Sequence, residues 1–179
     1  MKAEFDLAAI ERVIAAIADE LEGDWLLIGG ALTALWLEPR RVTEDLDVIG
    51  IGGNPAARLR LMELAVKLGL PIESVNSAAD YFVFRIDGWE RELELFRQGR
   101  RGRILRPTPT LFLLLKVRRL SERDLADCLA AVRHARAYGL TLDGARIKAE
   151  LLSLGETQDE SLQKRRGDLL TALDSGVRP

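Results

Sequence analysis

Two neighbouring stretches of the sequence decide how the chain folds: WLLIGG at residues 25–30 and RVTEDLDVI at residues 41–49. The first is a continuous apolar run that ends in two glycines, which predicts a buried strand followed by a tight turn. The second alternates between polar and apolar residues from 45 and then becomes apolar, which predicts another strand. Residues 31–37 between them fit a short helix that ends near Pro39. We therefore expect a strand–helix–strand unit here.

The rest of the chain adds helices on both sides and a strand pair in the middle. Apolar residues recur at helical spacing in 4–22 and 56–69, whereas 82–86 and 92–96 resemble strands, joined as a hairpin at Asp87-Gly88. After residue 106 only helices are expected, at 110–120, 121–138, 143–153 and 158–174. These patterns predict an α+β protein with a mixed-sheet core at residues 1–106 and a helical region at 107–179 that packs on it.

Composition excludes several classes of protein. The 179 residues are 47% hydrophobic and 30% charged, which is typical of a folded globular chain. The single cysteine, Cys128, excludes a disulfide scaffold, and the single histidine, His134, excludes paired-histidine metal motifs. No apolar run approaches the ~20 residues that cross a bilayer, and acids interrupt residues 1–13. We therefore expect a cytoplasmic protein without a membrane partner or a signal peptide.

Two acidic side chains, Asp45 and Asp47, enter the second strand two positions apart. Residues at this spacing share one face of a strand and lie about 6.5 to 7 Å apart. Carboxylates in this arrangement can bind divalent ions such as Mg²⁺, which prefers carboxylate, water and phosphate oxygens. The alternative is a row of solvent-facing acids on a half-exposed strand.

Two further features could complete a site. Gly29-Gly30 lies at a strand-to-helix turn, where backbone N–H groups can approach a phosphate, although a plain tight turn has the same sequence. Glu92 and Glu94 lie on a later strand-like segment, and either could supply a third carboxylate if that segment neighbours Asp45 and Asp47. Glu94 is favoured because leucines flank it; the alternative is again a surface row.

These motifs, in this order, resemble the nucleotidyltransferase (DNA polymerase beta-like) superfamily, and in particular the AbiEii/AbiGii toxin-type and related minimal nucleotidyltransferases. The resemblance rests on Gly-Gly, a short helix and RVTEDLD at 41–47, then on PTPTLFLLLK at 107–116 and RDLAD at 123–127. It covers about residues 25–135. Many relatives have serine where this chain has Gly30, and aspartate where it has Glu94.

The resemblance implies a metal-dependent enzyme with its acids on adjacent strands. It implies that Asp45, Asp47 and Glu94 bind Mg²⁺ or Mn²⁺ and that Glu94 completes the site or acts as a base. A nucleoside triphosphate (NTP) would lie against Gly29 and Gly30. The remaining residues expected at the nucleotide are Arg41, Thr43, Lys116, Asp124 and Asp127.

Two groups of residues have alternative interpretations. Lys116 either reaches the phosphates or forms a structural pair with Asp124 or Asp127, which share a helical face. Five arginines lie in one glycine-containing segment: Arg97, Arg100, Arg101, Arg103 and Arg106. They either bind RNA phosphates or an acidic partner, or they belong to a solvated turn.

The sequence therefore supports two hypotheses. In the first, the protein transfers a nucleoside monophosphate from an NTP to an acceptor hydroxyl on RNA such as tRNA, on a protein or on a small molecule. This hypothesis includes a role as the toxin of a toxin–antitoxin pair, with a cognate antitoxin as partner. In the second, the same fold serves as a non-catalytic binding module or an antitoxin-like module.

Overall fold

The computed structural model describes residues 4–52, 55–76 and 80–175. The chain divides into two compact units, Met1–Pro107 and Thr108–Pro179. The first unit contains helices and a mixed sheet, and the described part of the second contains helices alone. The expected α+β fold with a helical C-terminal part is thus confirmed.

The first unit alternates helices and strands up to its last two strands, which follow each other directly. Its helices are α1 (Leu7–Glu20), α2 (Gly29–Trp36), α3 (Pro55–Lys67) and the single turn α4 (Asp80–Val83). Its strands are β1 (Gly23–Ile28), β2 (Leu46–Gly50), β3 (Val75–Asn76), β4 (Leu93–Gln98) and β5 (Gly102–Pro107). Two 3₁₀ turns, Ile72–Ser74 and Trp89–Glu92, precede β3 and β4.

The five strands form one sheet in the order β3-β2-β1-β5-β4. The central strand β1 pairs antiparallel with β2 and parallel with β5, while β4 is an edge strand antiparallel to β5. Strands β1 and β2 carry an uninterrupted apolar core, because Trp25, Leu26, Leu27, Val48 and Ile49 are all buried. This buried pair leads directly into the loops that carry the candidate site.

The prediction of a hairpin at residues 82–96 is wrong. Residues 80–83 form the helical turn α4, and Gly88 adopts the left-handed conformation (φ 73°) that starts the 3₁₀ turn at Trp89. The antiparallel partner of β4 is β5, which comes after it in the chain. The strand-like pattern at 82–86 therefore belongs to an exposed segment, in which Phe82 and Phe84 face solvent.

The second unit contains four helices in its described residues: α5 (Pro109–Val117), α6 (Glu122–Ala137), α7 (Gly144–Ser153) and α8 (Glu160–Asp174). Side chains cap these helices at Thr108, Ser121, Asp143 and Asp159, each accepting a hydrogen bond from a first-turn N–H group. Helix α5 is apolar almost throughout and forms the buried centre of this unit.

Candidate functional site

The carboxylate of Asp47 lies against the first residue of α2. Ile28, the last residue of β1, is directly opposite Asp47 in the antiparallel pair with β2, and the chain then turns into α2 at Gly29. Gly29 has a φ of +70°, and a methyl group on its Cα would lie 2.0 Å from Asp47 Oδ2. Only glycine fits this position. The unpaired N–H groups at the start of a helix favour negative charge, so the half-buried Asp47 lies where a helix attracts anions.

The next residue, Gly30, faces the loop that leads into β2. A methyl group on Gly30 would lie 2.6 Å from Thr43 Oγ1 and 3.7 Å from Arg41 Nε. Thr43 Oγ1 donates a hydrogen bond to the Asp45 carbonyl at 3.2 Å. The Thr43 backbone also exchanges two hydrogen bonds with Phe5, at 2.8 and 3.2 Å. These hydrogen bonds hold the loop to Phe5, ahead of α1, while the Thr43 and Arg41 side chains lie beside Gly30.

The structure therefore brings together most of the N-terminal residues that the sequence grouped: Gly29, Gly30, Arg41, Thr43 and Asp47. Asp45 immediately precedes β2 and is exposed, two residues from Asp47. The arrangement joins a glycine turn, an arginine, a hydroxyl and the Asp47 carboxylate where β1 ends and β2 begins, with the exposed Asp45 two residues away. Such a set of groups suits a phosphate and a divalent cation bound side by side.

Glu94 does not belong to this set, and the expectation that the three acids lie on adjacent strands is wrong. Strands β1 and β5 lie between β2 and β4. The distance from β2 to β4 is therefore three strand spacings, or about 14 Å. The strand register also shows that Asp47 and Leu95 lie on the same face of the sheet. Asp47 is opposite Ile28, which shares its face with Leu26 on β1. Leu26 is opposite Leu105, and Leu105 is opposite Leu95. Because side chains alternate along a strand, Glu94 points from the opposite face.

Glu94 instead pairs with Arg106, its neighbour on β5, with 2.6 Å between Glu94 Oε2 and Arg106 Nη2. Glu92 lies in the 3₁₀ turn before β4 and outside the strand. Across residues 4–52, 55–76 and 80–175, no group of three or more His, Cys, Asp or Glu side chains is arranged to hold a metal ion. A metal at Asp45 and Asp47 would thus have no third carboxylate, histidine or cysteine ligand among the described residues.

Lys116 forms the structural pair that was one of its two interpretations, and it does so with both aspartates. Its Nζ lies 2.7 Å from Asp127 Oδ2 and 3.3 Å from Asp124 Oδ1, and it also lies 5.1 Å from the Phe112 ring centroid. The Lys116 side chain is 11% exposed and both carboxylates are 1% exposed. The cluster is therefore a buried ion network that ties α5 to α6. A contact between Lys116 and phosphates stays a prediction.

Asp124 is the centre of that network. It completes a capping box with Ser121 and accepts two hydrogen bonds from Arg119, at 2.7 and 2.8 Å. Burial alone would raise the pKa of Asp124, but the hydrogen bonds from Arg119 and Ser121 and the charge of Lys116 outweigh it. They hold the pKa of this carboxyl far below its usual range. Asp124 is therefore ionised and starts α6.

Most of the arginines between 97 and 106 pair with acids on the segment from α1 to β1. Arg103 binds Asp24 with two hydrogen bonds at 2.7 and 2.6 Å, Arg101 pairs with Glu22, and Arg100 Nε lies 3.9 Å from Asp19 Oδ1. Arg97 is exposed on β4. These pairs offset much of the positive charge that the sequence suggested for RNA or an acidic partner, so such a contact stays a prediction.

Sequence reasoning missed two residues that support the site. Phe5 holds the backbone of Thr43, and Trp36, in the last turn of α2, packs under the guanidinium of Arg106 at 4.3 Å. Phe5 gave no local signal, because its partner lies far along the chain. For Trp36 a signal was available, because it ends the short helix that begins at the glycine turn.

Comparisons with protein-family models, with curated proteins and with solved structures give no match for this chain. Within the described residues, no helix combines the length and apolar character that crossing a membrane requires.

Proposed function

We propose that the protein is a metal-dependent nucleotidyltransferase that moves a nucleoside monophosphate from an NTP to an acceptor hydroxyl and releases pyrophosphate. One observation carries this proposal: the Asp47 carboxylate lies against Gly29 in the first turn of α2, with Thr43 and Arg41 beside Gly30. The resemblance of the motifs to the nucleotidyltransferase superfamily supports the same reading.

The glycine turn and Arg41 suit the binding of a triphosphate. Glycines at 29 and 30 add no side chain of their own to the first turn of α2, so phosphate oxygens could approach its backbone N–H groups beside the Asp47 carboxylate. Arg41 offers a planar fork of donors that matches phosphate geometry. Thr43 orders this loop through its bonds to Phe5 and Asp45. Together these residues would orient the nucleotide for in-line attack.

Asp45 and Asp47 fit a divalent cation as a two-carboxylate set. Mg²⁺ is commonly held by one or two carboxylates, with substrate phosphates and water completing its shell. Glu94 is outside this set because it faces away and pairs with Arg106. A bound Mg²⁺ or Mn²⁺ would stabilise negative charge on the attacking and leaving oxygens. The protein's own part is to position the triphosphate beside the two aspartates.

The acceptor belongs to the proposal as a class: a hydroxyl on RNA such as tRNA, on a protein or on a small molecule. The exposed Arg97 supports a phosphate-containing acceptor, but the acid partners of Arg101 and Arg103 leave little net charge around it. If the resemblance to toxin-type relatives extends to function, a cognate antitoxin protein would be the partner.

A second candidate is a non-catalytic module that uses the same fold for binding, such as an antitoxin-like protein. It is favoured by the absence of a three-carboxylate cluster in the described parts of the chain and by the pairing of Glu94 with Arg106. In this case Asp47 would serve mainly to cap α2.

Magnesium-dependent nucleotide binding separates the two candidates. We expect each NTP with Mg²⁺ to raise the melting temperature of the wild type and of the control Asp24→Asn, which removes an acid from the exposed pair with Arg103. Asp47→Asn should remove the shift while keeping its circular dichroism spectrum. Equal shifts in all three proteins, or none, would support the non-catalytic module. Incubation with labelled NTPs and total RNA would then locate the acceptor.

A further inference from the structure

Arg106 differs from the other arginines of its segment because its side chain is enclosed. It is 15% exposed, whereas Arg103 on the same strand is 52% exposed. The guanidinium pairs with Glu94 and lies over the indole ring of Trp36, 4.3 Å from its centroid. Among the described residues, Arg106 Nη1 is buried and has no hydrogen-bond partner.

The position of Trp36 links this cluster to the glycine turn. Trp36 is the last residue of α2 and Gly29 is the first, so they lie about 10 Å apart along the helix. At Gly29 the helix continues directly from β1, and at Trp36 it contacts Arg106 on β5, the parallel neighbour of β1. Both ends of α2 are thus attached to the same pair of strands.

Stability alone is a poor explanation for this arrangement. The Glu94 side chain is 40% exposed, and an ion pair with one solvent-facing partner adds little to stability. A buried donor without a partner costs free energy, and such groups tend to mark positions kept for another reason. The stacking of a guanidinium on an indole ring defines the relative orientation of the two side chains in a way that a flexible apolar side chain does not.

We propose that Arg106 is a positioning residue for the Gly29-Gly30 turn, with Glu94 as its counter-ion. Its guanidinium fixes Trp36, and through Trp36 the orientation of α2, so that the first turn of the helix meets the nucleotide phosphates at the correct angle. This inference rests on the proposed function. It gives Glu94 a role in supporting the turn and no role in binding the metal or the acceptor.

The test compares three variants of the full chain well below their melting temperatures. Arg106→Lys keeps the charge but loses the planar stack, and E94M/R106M replaces the ion pair with apolar side chains. Arg103→Lys is the matched control, an exposed, acid-paired arginine on the same strand. The probes are the magnesium complexes of α,β-methylene NTP analogues, measured by calorimetry. The backbone amide signals of Gly29 and Gly30 are followed by NMR without nucleotide.

We expect Arg106→Lys and E94M/R106M to bind the analogue about fivefold or more weakly, the lower end of typical coupling between sites. Arg103→Lys should stay within twofold of the wild type. E94M/R106M should keep the wild-type melting temperature, which separates positioning from stability. The Gly29 and Gly30 signals should shift in both Arg106 variants and not in the control.

Affinities within twofold of the wild type together with unmoved glycine signals would show that Arg106 serves stability alone and would overturn the inference. If the wild type binds no analogue, the proposed function fails. In that case the NMR signals of Gly29 and Gly30 alone test whether Arg106 affects the turn, because they are recorded without nucleotide. Unmoved signals in Arg106→Lys would then refute it.

Discussion

At the scale of single residues, Gly29 combines two constraints that both disfavour a side chain. Its φ of +70° is costly for any residue with a Cβ, and the added carbon would lie 2.0 Å from Asp47 Oδ2. Gly29→Ala must therefore displace the Asp47 carboxylate or the start of α2. We expect a loss of about 2 to 4 kcal/mol in the free energy of unfolding, measured by urea titration.

Gly69 provides the matched control, because its φ is +71° and a Cβ there would meet nothing within 4 Å. Gly69→Ala should cost only the backbone term, about 1 to 2 kcal/mol. The difference between the losses in free energy of unfolding of the two variants measures the contact between Gly29 and Asp47. If Gly29→Ala costs no more than Gly69→Ala, the carboxylate moves freely and does not lie firmly against the turn.

At the scale of elements, the sequence predicted strands and helices best where their signals were local. The apolar run at 25–28, the glycine turn and the alternation at 45–49 all lie within one strand–helix–strand unit, and β1, α2 and β2 form there. The grouping of Gly29, Gly30 and Asp47 followed from the same local unit, whereas Thr43 was expected from the resemblance to the nucleotidyltransferase superfamily. Antiparallel pairing of β1 with β2 then sets the register that places Asp47 opposite Ile28.

The errors arose where pairing depends on distant residues. Residues 82–86 have strand-forming side chains and Asp87-Gly88 favours a turn, yet β4 takes its partner from β5 instead. Insertion of β5 next to β1 then places Glu94 three strands from Asp47. Neither strand order nor the face of Glu94 could be derived from spacing, because both follow from the parallel contact of β1 with β5.

The turn between β4 and β5 packs closely on the end of α1. A methyl group on Gly99 would lie 2.2 Å from the Ala18 carbonyl oxygen, and the Arg101 N–H donates to the same oxygen at 3.2 Å. Backbone atoms cannot move aside as a flexible side chain does, so Gly99→Ala should cost about 1 to 3 kcal/mol of stability. Chemical denaturation of the variant, followed by tryptophan fluorescence, measures the loss.

Gly167 is the control for this prediction, since it lies inside α8 and a Cβ there would meet nothing within 4 Å. Gly167→Ala should stabilise the protein by about 0.5 to 1 kcal/mol, because alanine favours the helix interior. A neutral Gly99→Ala would mean that the turn does not pack on α1. The arginine–acid pairs nearby are exposed to solvent and should contribute little to stability.

At the scale of the whole molecule, each compact unit has its own buried centre and its own charged network. In Met1–Pro107 the sheet supplies the core, and Arg106 with Glu94 is an ion pair at one side of it. In Thr108–Pro179 the apolar helix α5 supplies the core, and Lys116, Asp124 and Asp127 form the buried network. Substitutions in one network should therefore act mainly on the unit that contains it.

The response to acid should accordingly depend on Asp124 and appear in the second unit. The folded-state pKa of Asp124 lies below the unfolded value of about 3.9, so its ionised form stabilises the fold fully above about pH 5, and this contribution is lost as the pH falls toward the folded value. Asp124→Asn should lower the melting temperature at pH 7, and the gap to the wild type should narrow steadily as the pH falls from about 5 to 2. Segment-resolved hydrogen exchange at pH 7 should show the loss of protection within residues 108–175, whereas the exposed control Asp168→Asn should change neither measurement. A gap that stays constant down to pH 2, or a loss of protection spread equally over both units, would contradict the central place of Asp124 in this network.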